Sequence, residues 1–330
     1  MNERSETKHP AAEPITAPSL SAEPISAAPI HATAITAPLG ETPACGEQAG
    51  LTLGVFDSGF GGLTVLRALL PLLPGSRSIY LGDTARLPYG SKSRETISRY
   101  ALSSARFLQD QGADLLVIAC NTATALALDD LRRELPIPVI GVIEPGAEAA
   151  RAARVDASVL VLATIATVQS KAYTRALEGL GLKAYEMACP LLVPLVEEGW
   201  IEHPVTDEVL RIYLDQALMA APNADTLLLG CTHYPLLEPA IRRTLEGLGH
   251  PLTIIDSAHA TAHATAQLVA KHFPAPLAAA SGNGAGGQRA SAPDSCCTFY
   301  ATDSVEKFQR LGSSFLGRAL DRVHLIDLGG

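Results

Sequence analysis

From Leu51 onward, short runs of consecutive apolar residues alternate with stretches in which apolar residues return every third or fourth position. A short unbroken apolar run predicts a strand buried on both faces, and the wider spacing predicts a helix with one apolar side. Strands are expected at 53–56, 78–83, 114–119, 138–143, 158–163, 183–188, 225–230, 252–256, 298–300 and 323–328. The first helix carries Leu63, Leu66, Leu69, Leu70 and Leu73 on one face and stops at Pro74-Gly75. The next begins near Glu95, buries Ile97, Ala101, Ala105 and Leu108, and is closed by Gly112. Further helices are expected from Cys120 to about Leu135, at 147–154, 168–180 and 207–220, after Cys231, to about His272, and at 305–316. Strand alternating with helix predicts an α/β protein with parallel sheets.

Two of the strands end alike. Asp114 leads an apolar run to Ala119-Cys120-Asn121-Thr122-Ala123, and Asp225 leads another to Gly230-Cys231-Thr232-His233-Tyr234-Pro235. Open α/β sheets bind ligands beyond the carboxyl ends of their strands, so each thiol stands where a site would be. The strand 53–56 ends in Asp57-Ser58-Gly59-Phe60-Gly61-Gly62. Its glycines allow close backbone approach, and the amides at the next helix start favour an anion. Together these turns predict a carboxylate-binding pocket with a thiol on each side. A single strand-end cysteine is as readily a small buried hydrophobe, but two in matched polar turns favour chemistry. A zinc site from Cys120, Cys231, His233 and Asp57 is the weaker alternative, because Cys-x-His is not a structural zinc spacing and no C-x-x-C occurs.

Other polar positions stay open on residue type alone. The loop Thr84–Ser91 suits either a binding loop or a plain surface turn, and Thr164 with Thr167 suits either a pocket wall or a helix cap. His259 and His263 have metal-pair spacing but lack a zincin glutamate, which favours a solvated face. Cys296 and Cys297 point to opposite faces of one strand and receive no role.

Composition narrows the function classes. The chain has 330 residues, 47% hydrophobic and 5% aromatic, enough for two lobes. A net charge of −9 without basic runs argues against nucleic acid. No apolar run approaches the roughly 20 residues of a membrane span. Six cysteines without framework spacing suit a reducing compartment, and the N-terminus lacks the basic-then-apolar order of a secretion signal. Residues 1–50, rich in Ala, Pro, Thr and Ser and holding Cys45, read as a disordered tail, and its glutamates argue against a transit peptide. A Pro, Ala, Gly and Ser stretch at 274–295 reads as a flexible insertion.

Taken together, Gly54-Val55-Phe56-Asp57-Ser58-Gly59-Phe60-Gly61-Gly62-Leu63, Asp83 with Pro88-Tyr89-Gly90, Ala119–Ala123, Val142–Gly146, Cys189-Pro190 with Pro194–Glu197, and Gly230–Pro235 resemble the glutamate racemases of the aspartate/glutamate racemase superfamily. The motifs keep the family's order and cover about Leu51 to Phe273; the segment beyond resembles the family more loosely. The Asp-Ser-Gly opening and the His-Tyr-Pro after the second cysteine separate this family from its wider superfamily. The resemblance implies two similar doubly wound, Rossmann-like α/β lobes facing each other, with the active site between them. One lobe would hold 51–142 plus 257–330 and the other 143–256.

It further implies interconversion of L- and D-glutamate without pyridoxal phosphate or metal, in a bacterial cytoplasm, for peptidoglycan synthesis. The partner is the small substrate, not nucleic acid or membrane, with a homodimer as the candidate assembly. Cys120 and Cys231 would be the proton-transfer groups, assisted by Asp57 and His233 respectively, with Glu197 orienting His233; Glu198 is an alternative for that role. Asp57, Ser58, Tyr89, Gly90, Asn121, Thr122, Thr164, Thr167, Thr232 and His233 would line the substrate site. The tail and the 274–295 insertion are long for the family.

Overall fold

The computed structural model describes residues 50–273 and 297–329. The tail with Cys45, the 274–295 insertion and Cys296 therefore lie outside the described residues, apart from residue 50 of the tail.

In chain order the elements are β1 (Thr52–Asp57), α1 (Leu63–Leu69), β2 (Arg77–Gly82), α2 (Arg94–Asp110), β3 (Leu115–Ile118), α3 (Asn121–Glu134), β4 (Val139–Gly141), α4 (Ile143–Ala153) and β5 (Ser158–Ala163). They continue with α5 (Ile165–Ser170), α6 (Ala172–Gly179), β6 (Lys183–Ala188), α7 (Leu192–Glu197), α8 (Pro204–Ala220), β7 (Thr226–Gly230), α9 (Glu238–Gly247), β8 (Thr253–Asp256) and α10 (Ser257–His272). The last are β9 (Cys297–Ala301), α11 (Val305–Leu316) and β10 (Val323–Leu325). Short 3-10 turns lie at Thr84–Arg86, Tyr89–Ser91 and Tyr234–Leu237.

The strands form two all-parallel sheets, ordered β10-β9-β2-β1-β3-β4 and β6-β5-β7-β8. The first takes its strands from 52–141 and 297–325, the second from 158–256. The run β2-β1-β3-β4 has the same order as β6-β5-β7-β8, so β1 corresponds to β5 and β3 to β7. In each sheet the chain steps to one side of the first strand and then returns to the other. That reversal is the switch point at which doubly wound sheets bind ligands. The two cysteine turns follow β3 and β7, which are equivalent strands.

The central strands are apolar throughout because both faces are covered. β1, β3, β5 and β7 are buried at every position, whereas the edge strand β6 alternates exposed and half-buried residues. Phe56, Leu116 and Ile118 pack with Ala101 and Leu108 of α2 and Ala127 and Leu131 of α3. On the other face, one core runs from Leu53 and Val55 through Leu66 of α1 and Ala262 and Val269 of α10 to Leu227 and Leu229. That continuous core fixes one sheet against the other.

Local chemistry shifts some element boundaries from their expected places. β4 stops at Gly141 and α4 starts at Ile143, with Pro145 in its first turn, where a missing N–H costs nothing. The expected helix at 168–180 begins at Ile165 and divides at Lys171, whose φ of 56° is left-handed. The Ser170 hydroxyl accepts from the Ala172 N–H at 3.1 Å and so starts the second piece. α8 begins at Pro204, with the His203 ring accepting from the Val205 N–H. Gly112, at φ 88°, follows α2 in the left-handed region, as expected of a helix-closing glycine.

Candidate active site

The polar turns after β1, β3, β5 and β7 meet between the sheets. Gly61 shows how close the first and last approach: a Cβ there would stand 2.6 Å from His233 Nδ1 and collide with the Thr232 hydroxyl. The Thr64 hydroxyl donates to the Thr232 carbonyl at 3.2 Å and to that of Gly61 at 2.8 Å. From the other side, Asn121 Nδ2 donates to the Tyr173 hydroxyl at 2.7 Å. The Thr122 hydroxyl pairs with Thr164 at 3.0 Å and with Thr167 at 3.4 Å. Thr164 caps α5 through the Thr167 N–H and also faces Thr122, so capping and site lining are one arrangement.

Both thiols are buried, each 5% exposed. Cys120 caps α3, its sulfur accepting from the Ala123 N–H at 3.5 Å and donating to Ser58 Oγ at 3.4 Å. Burial, and then the Asp57 carboxylate, push this thiol up to about 12 against the hydrogen bonds that favour its thiolate. Asp57 is 1% exposed. Its Oδ2 accepts from the Gly59 N–H at 2.8 Å, and its Oδ1 is buried without a partner among the described residues. Burial raises its pKa, opposed by the charge of His233 and by backbone N–H groups of its own turn.

Cys231 has a different neighbour. Its sulfur lies 3.9 Å from His233 Nδ1, and His233 Nε2 lies 3.1 Å from Glu197 Oε1. The ring also meets Phe315 edge-on at 5.0 Å. Burial works against a charged imidazole, but the hydrogen bonds with Cys231 and Glu197 prevail and carry the His233 pKa up to about 10. Glu197, at the end of α7, makes the contact with His233, while Glu198 is exposed.

Tyr89 is placed differently from a side chain that lines a pocket. Its hydroxyl donates to Asp83 Oδ2 and its ring packs against Phe56 and Tyr100. What this turn presents toward α5 is backbone, for a Cβ on Gly90 would lie 3.1 Å from Thr164 Cβ. Tyr173, Ser257 and Phe315 adjoin the site without a sequence signal, since each lies in a helix on the side facing the core.

Among the described residues no group of three or more His, Cys, Asp or Glu side chains is placed to hold a metal. Cys120, Cys231, His233 and Asp57 thus do not form the zinc site that their residue types would allow. His259 and His263 are exposed, with His259 Nδ1 2.8 Å from Asp256 Oδ2. They line a cavity of about 490 Å³ with Thr64, Arg67, Pro235 and Phe315; neither thiol lines it. No described helix is long and apolar enough to cross a membrane.

Each of the two parallel sheets thus places a buried cysteine just beyond a strand at its switch point. The chain belongs to the Asp/Glu/Hydantoin racemase family, whose model matches residues 62–265, and is an amino-acid racemase. Within that family it is similar to glutamate racemases. It is 51% identical over 287 residues to the glutamate racemase of Koribacter versatilis, covering 84% of this chain and 98% of that one. The crystal structure of the Thermus thermophilus enzyme in complex with β-chloro-D-alanine matches with a TM-score of 0.68 at 41% identity, covering 84% of this chain and 97% of that one. The Francisella tularensis enzyme in complex with D-glutamate matches with a TM-score of 0.72 at 32% identity, covering 84% and 98%.

Proposed function

We propose that this protein interconverts L- and D-glutamate by passing protons between the substrate Cα and two thiols, without a cofactor. The observation that carries the reading is the pair of buried cysteines at equivalent strand ends, each with its own ionisable helper: Asp57 for Cys120 and His233 for Cys231.

One sulfur enters the reaction as thiolate and the other as thiol. The thiolate takes the Cα proton from one face, and the thiol gives its proton to the opposite face. The sulfurs exchange states in each turnover, so the product complex is ready for the reverse reaction. His233, held by Glu197, stands beside Cys231, while burial and Asp57 favour thiol at Cys120.

Charge developing on the substrate carboxylate during Cα deprotonation needs donors already in place. Ser58, Asn121, Thr122 and Thr232 supply hydroxyl, amide and backbone N–H groups at the two thiol turns. Thr164, Thr167 and the backbone at Tyr89-Gly90 stand across from them and would take the distal carboxylate. The lobes behind this site are 51–142 with 257–330, and 143–256. The setting is a bacterial cytoplasm, where D-glutamate serves peptidoglycan synthesis.

The test is polarimetry on the purified chain with L-glutamate and no additive. The rotation should decay to zero, and D-glutamate should reach the same endpoint. Unchanged rotation would refute the reading, and faster turnover of aspartate would move it to another substrate.

A further inference from the structure

The cavity of about 490 Å³ is walled by α1, α10 and α11 and backs onto the turn that carries Cys231 and His233. Its lining includes the exposed Arg67, His259, His263 and Ser314, and a space of that size and polarity holds water. Phe315 also lines it, is itself buried, and meets the His233 ring edge-on with centroids 5.0 Å apart. His233 is buried and does not line the cavity. The phenyl ring therefore stands between that water and the imidazole. Its helix is seated tightly: a Cβ on Gly312, one turn earlier, would lie 2.8 Å from Leu63 Cδ1 and 2.6 Å from Leu320 Cδ1. The nitrogens of His233 are both engaged, Nδ1 at 3.9 Å from the Cys231 sulfur and Nε2 at 3.1 Å from Glu197 Oε1. A carboxylate only accepts, so Nε2 carries a proton and Nδ1 is the atom that can pass one to or from sulfur.

We propose that Phe315 is a positioning residue that seals the His233–Cys231 pair from the cavity water and so keeps a proton taken from substrate on Cys231. The inference rests on the two-thiol reading, in which one enantiomer gives its Cα proton to this sulfur. In D₂O the sulfur can trade that proton through Nδ1 and water: one proton leaves, one deuteron arrives, and charge is unchanged. A dry imidazole closes the route. The edge-on contact also fixes the ring plane, with one nitrogen toward each partner. Cys120 has Ser58 and the Ala123 N–H as its neighbours instead, so the seal serves one direction of the reaction.

The experiment compares the full-length wild type with Phe315→Ala, Phe315→Val, Phe315→Met and the control Val269→Ala, which truncates the same core away from the cavity. Each enantiomer of glutamate is incubated in D₂O, and deuterium at Cα is read in product and in recovered substrate at low conversion. Exchange of the His233 ring N–H with solvent is read by NMR on protein labelled at histidine nitrogen, with His233→Asn identifying the signal. Wild-type product that keeps substrate-derived hydrogen would overturn the two-thiol reading; a failed seal leaves that product deuterated and shows only in the other two readouts. In the wild type the ring N–H should exchange slowly and recovered substrate should stay protonated. Phe315→Ala should speed ring exchange by at least about tenfold, as opening a protected site does, and should deuterate the recovered substrate of one enantiomer only. Phe315→Val should move both readouts the same way by a smaller factor, and it carries the test if Phe315→Ala does not fold. Phe315→Met refills the space with an apolar chain and should restore wild-type behaviour. Val269→Ala should lower Tm and change neither readout. Unchanged ring exchange or unchanged recovered substrate in the truncated variants would overturn the proposal. Deuterium in the recovered substrate of both enantiomers, or the same changes in Val269→Ala, would show a merely structural phenylalanine.

Discussion

Cys120 and Cys231 occupy equivalent places yet are not equivalent acids. Cys120 has a carboxylate beside it, and Cys231 has an imidazole braced by Glu197. In the proposed mechanism His233 assists proton exchange at Cys231. In His233→Asn the direction that uses Cys231 as base should slow by about a hundredfold. Enantiomers have equal free energy in water, so the reverse direction must change its kcat and KM as a matched pair. Initial rates from each enantiomer measure this, and unchanged rates both ways would remove His233 from the mechanism. At this scale much of the site was legible. Cys120, Cys231, Asp57 and His233 stand out because polar residues at the ends of apolar strands have few structural reasons to be there. Tyr173 was not legible, because a tyrosine on the inner side of a helix looks like core until its hydroxyl is seen to meet Asn121. The choice between Glu197 and Glu198 likewise depended on which carboxylate the end of α7 turns toward His233.

Elements deliver these residues only if their connections approach closely enough. The β1–α1 turn passes against the second cysteine turn at Gly61, where any side chain meets Thr232 and His233. Gly61→Ala should therefore reduce kcat/KM by more than about tenfold, since displacing a catalytic group by an ångström has effects of that order or larger. Activity near that of the wild type would show that the turns are not held in contact. Lys171 offers a test away from the chemistry. It alone among the described non-glycine residues has positive φ, and it divides α5 from α6. Lys171→Gly should raise stability by about 0.5–1 kcal/mol in urea unfolding, because glycine accepts the left-handed conformation without steric cost. A loss of stability would place the strain elsewhere. The sequence did not reveal this break, because Val168–Ala172 contains neither glycine nor proline and the apolar spacing continues through it. The strands were more legible: 158–163, a buried and largely apolar run, and 183–188, an edge strand of exposed and half-buried residues, both appear with their expected limits.

The whole molecule uses one arrangement twice. The shared order β2-β1-β3-β4 and β6-β5-β7-β8 places each thiol at a switch point, and the common core through α1 and α10 brings the two switch points together. Alternating strand and helix patterns implied the fold class, and the matched cysteine turns hinted at duplication. Strand order was not legible, because it depends on which buried runs become neighbours. Burying ionisable groups at this junction also makes stability depend on pH. His233 moves from 6.5 to about 10 on folding, so its contribution is complete below pH 6.5 and is lost as pH rises toward 10. Cys120 moves from 9.0 to about 12, which adds a second loss starting near pH 9. Urea midpoints should therefore fall steadily from pH 7 to 10. Glu197→Gln should flatten the earlier part of that fall by weakening the hold on the imidazolium. An unchanged slope in the variant would contradict the placement of the charge.

The central claim is that two thiols act from opposite faces, and isotope placement in D₂O tests it most directly. A proton taken from L-glutamate would rest on one sulfur while the other, already equilibrated with solvent, delivers deuterium. The first D-glutamate formed should carry deuterium at Cα, and the remaining L-glutamate should stay largely protonated. Starting from D-glutamate should give the mirror result. Cys120→Ser and Cys231→Ser should each lower racemisation by at least about a hundredfold, since an alcohol is a far poorer acid and base near neutrality. Product that keeps substantial substrate-derived hydrogen would mean that one base serves both faces, and the paired-thiol account would be wrong.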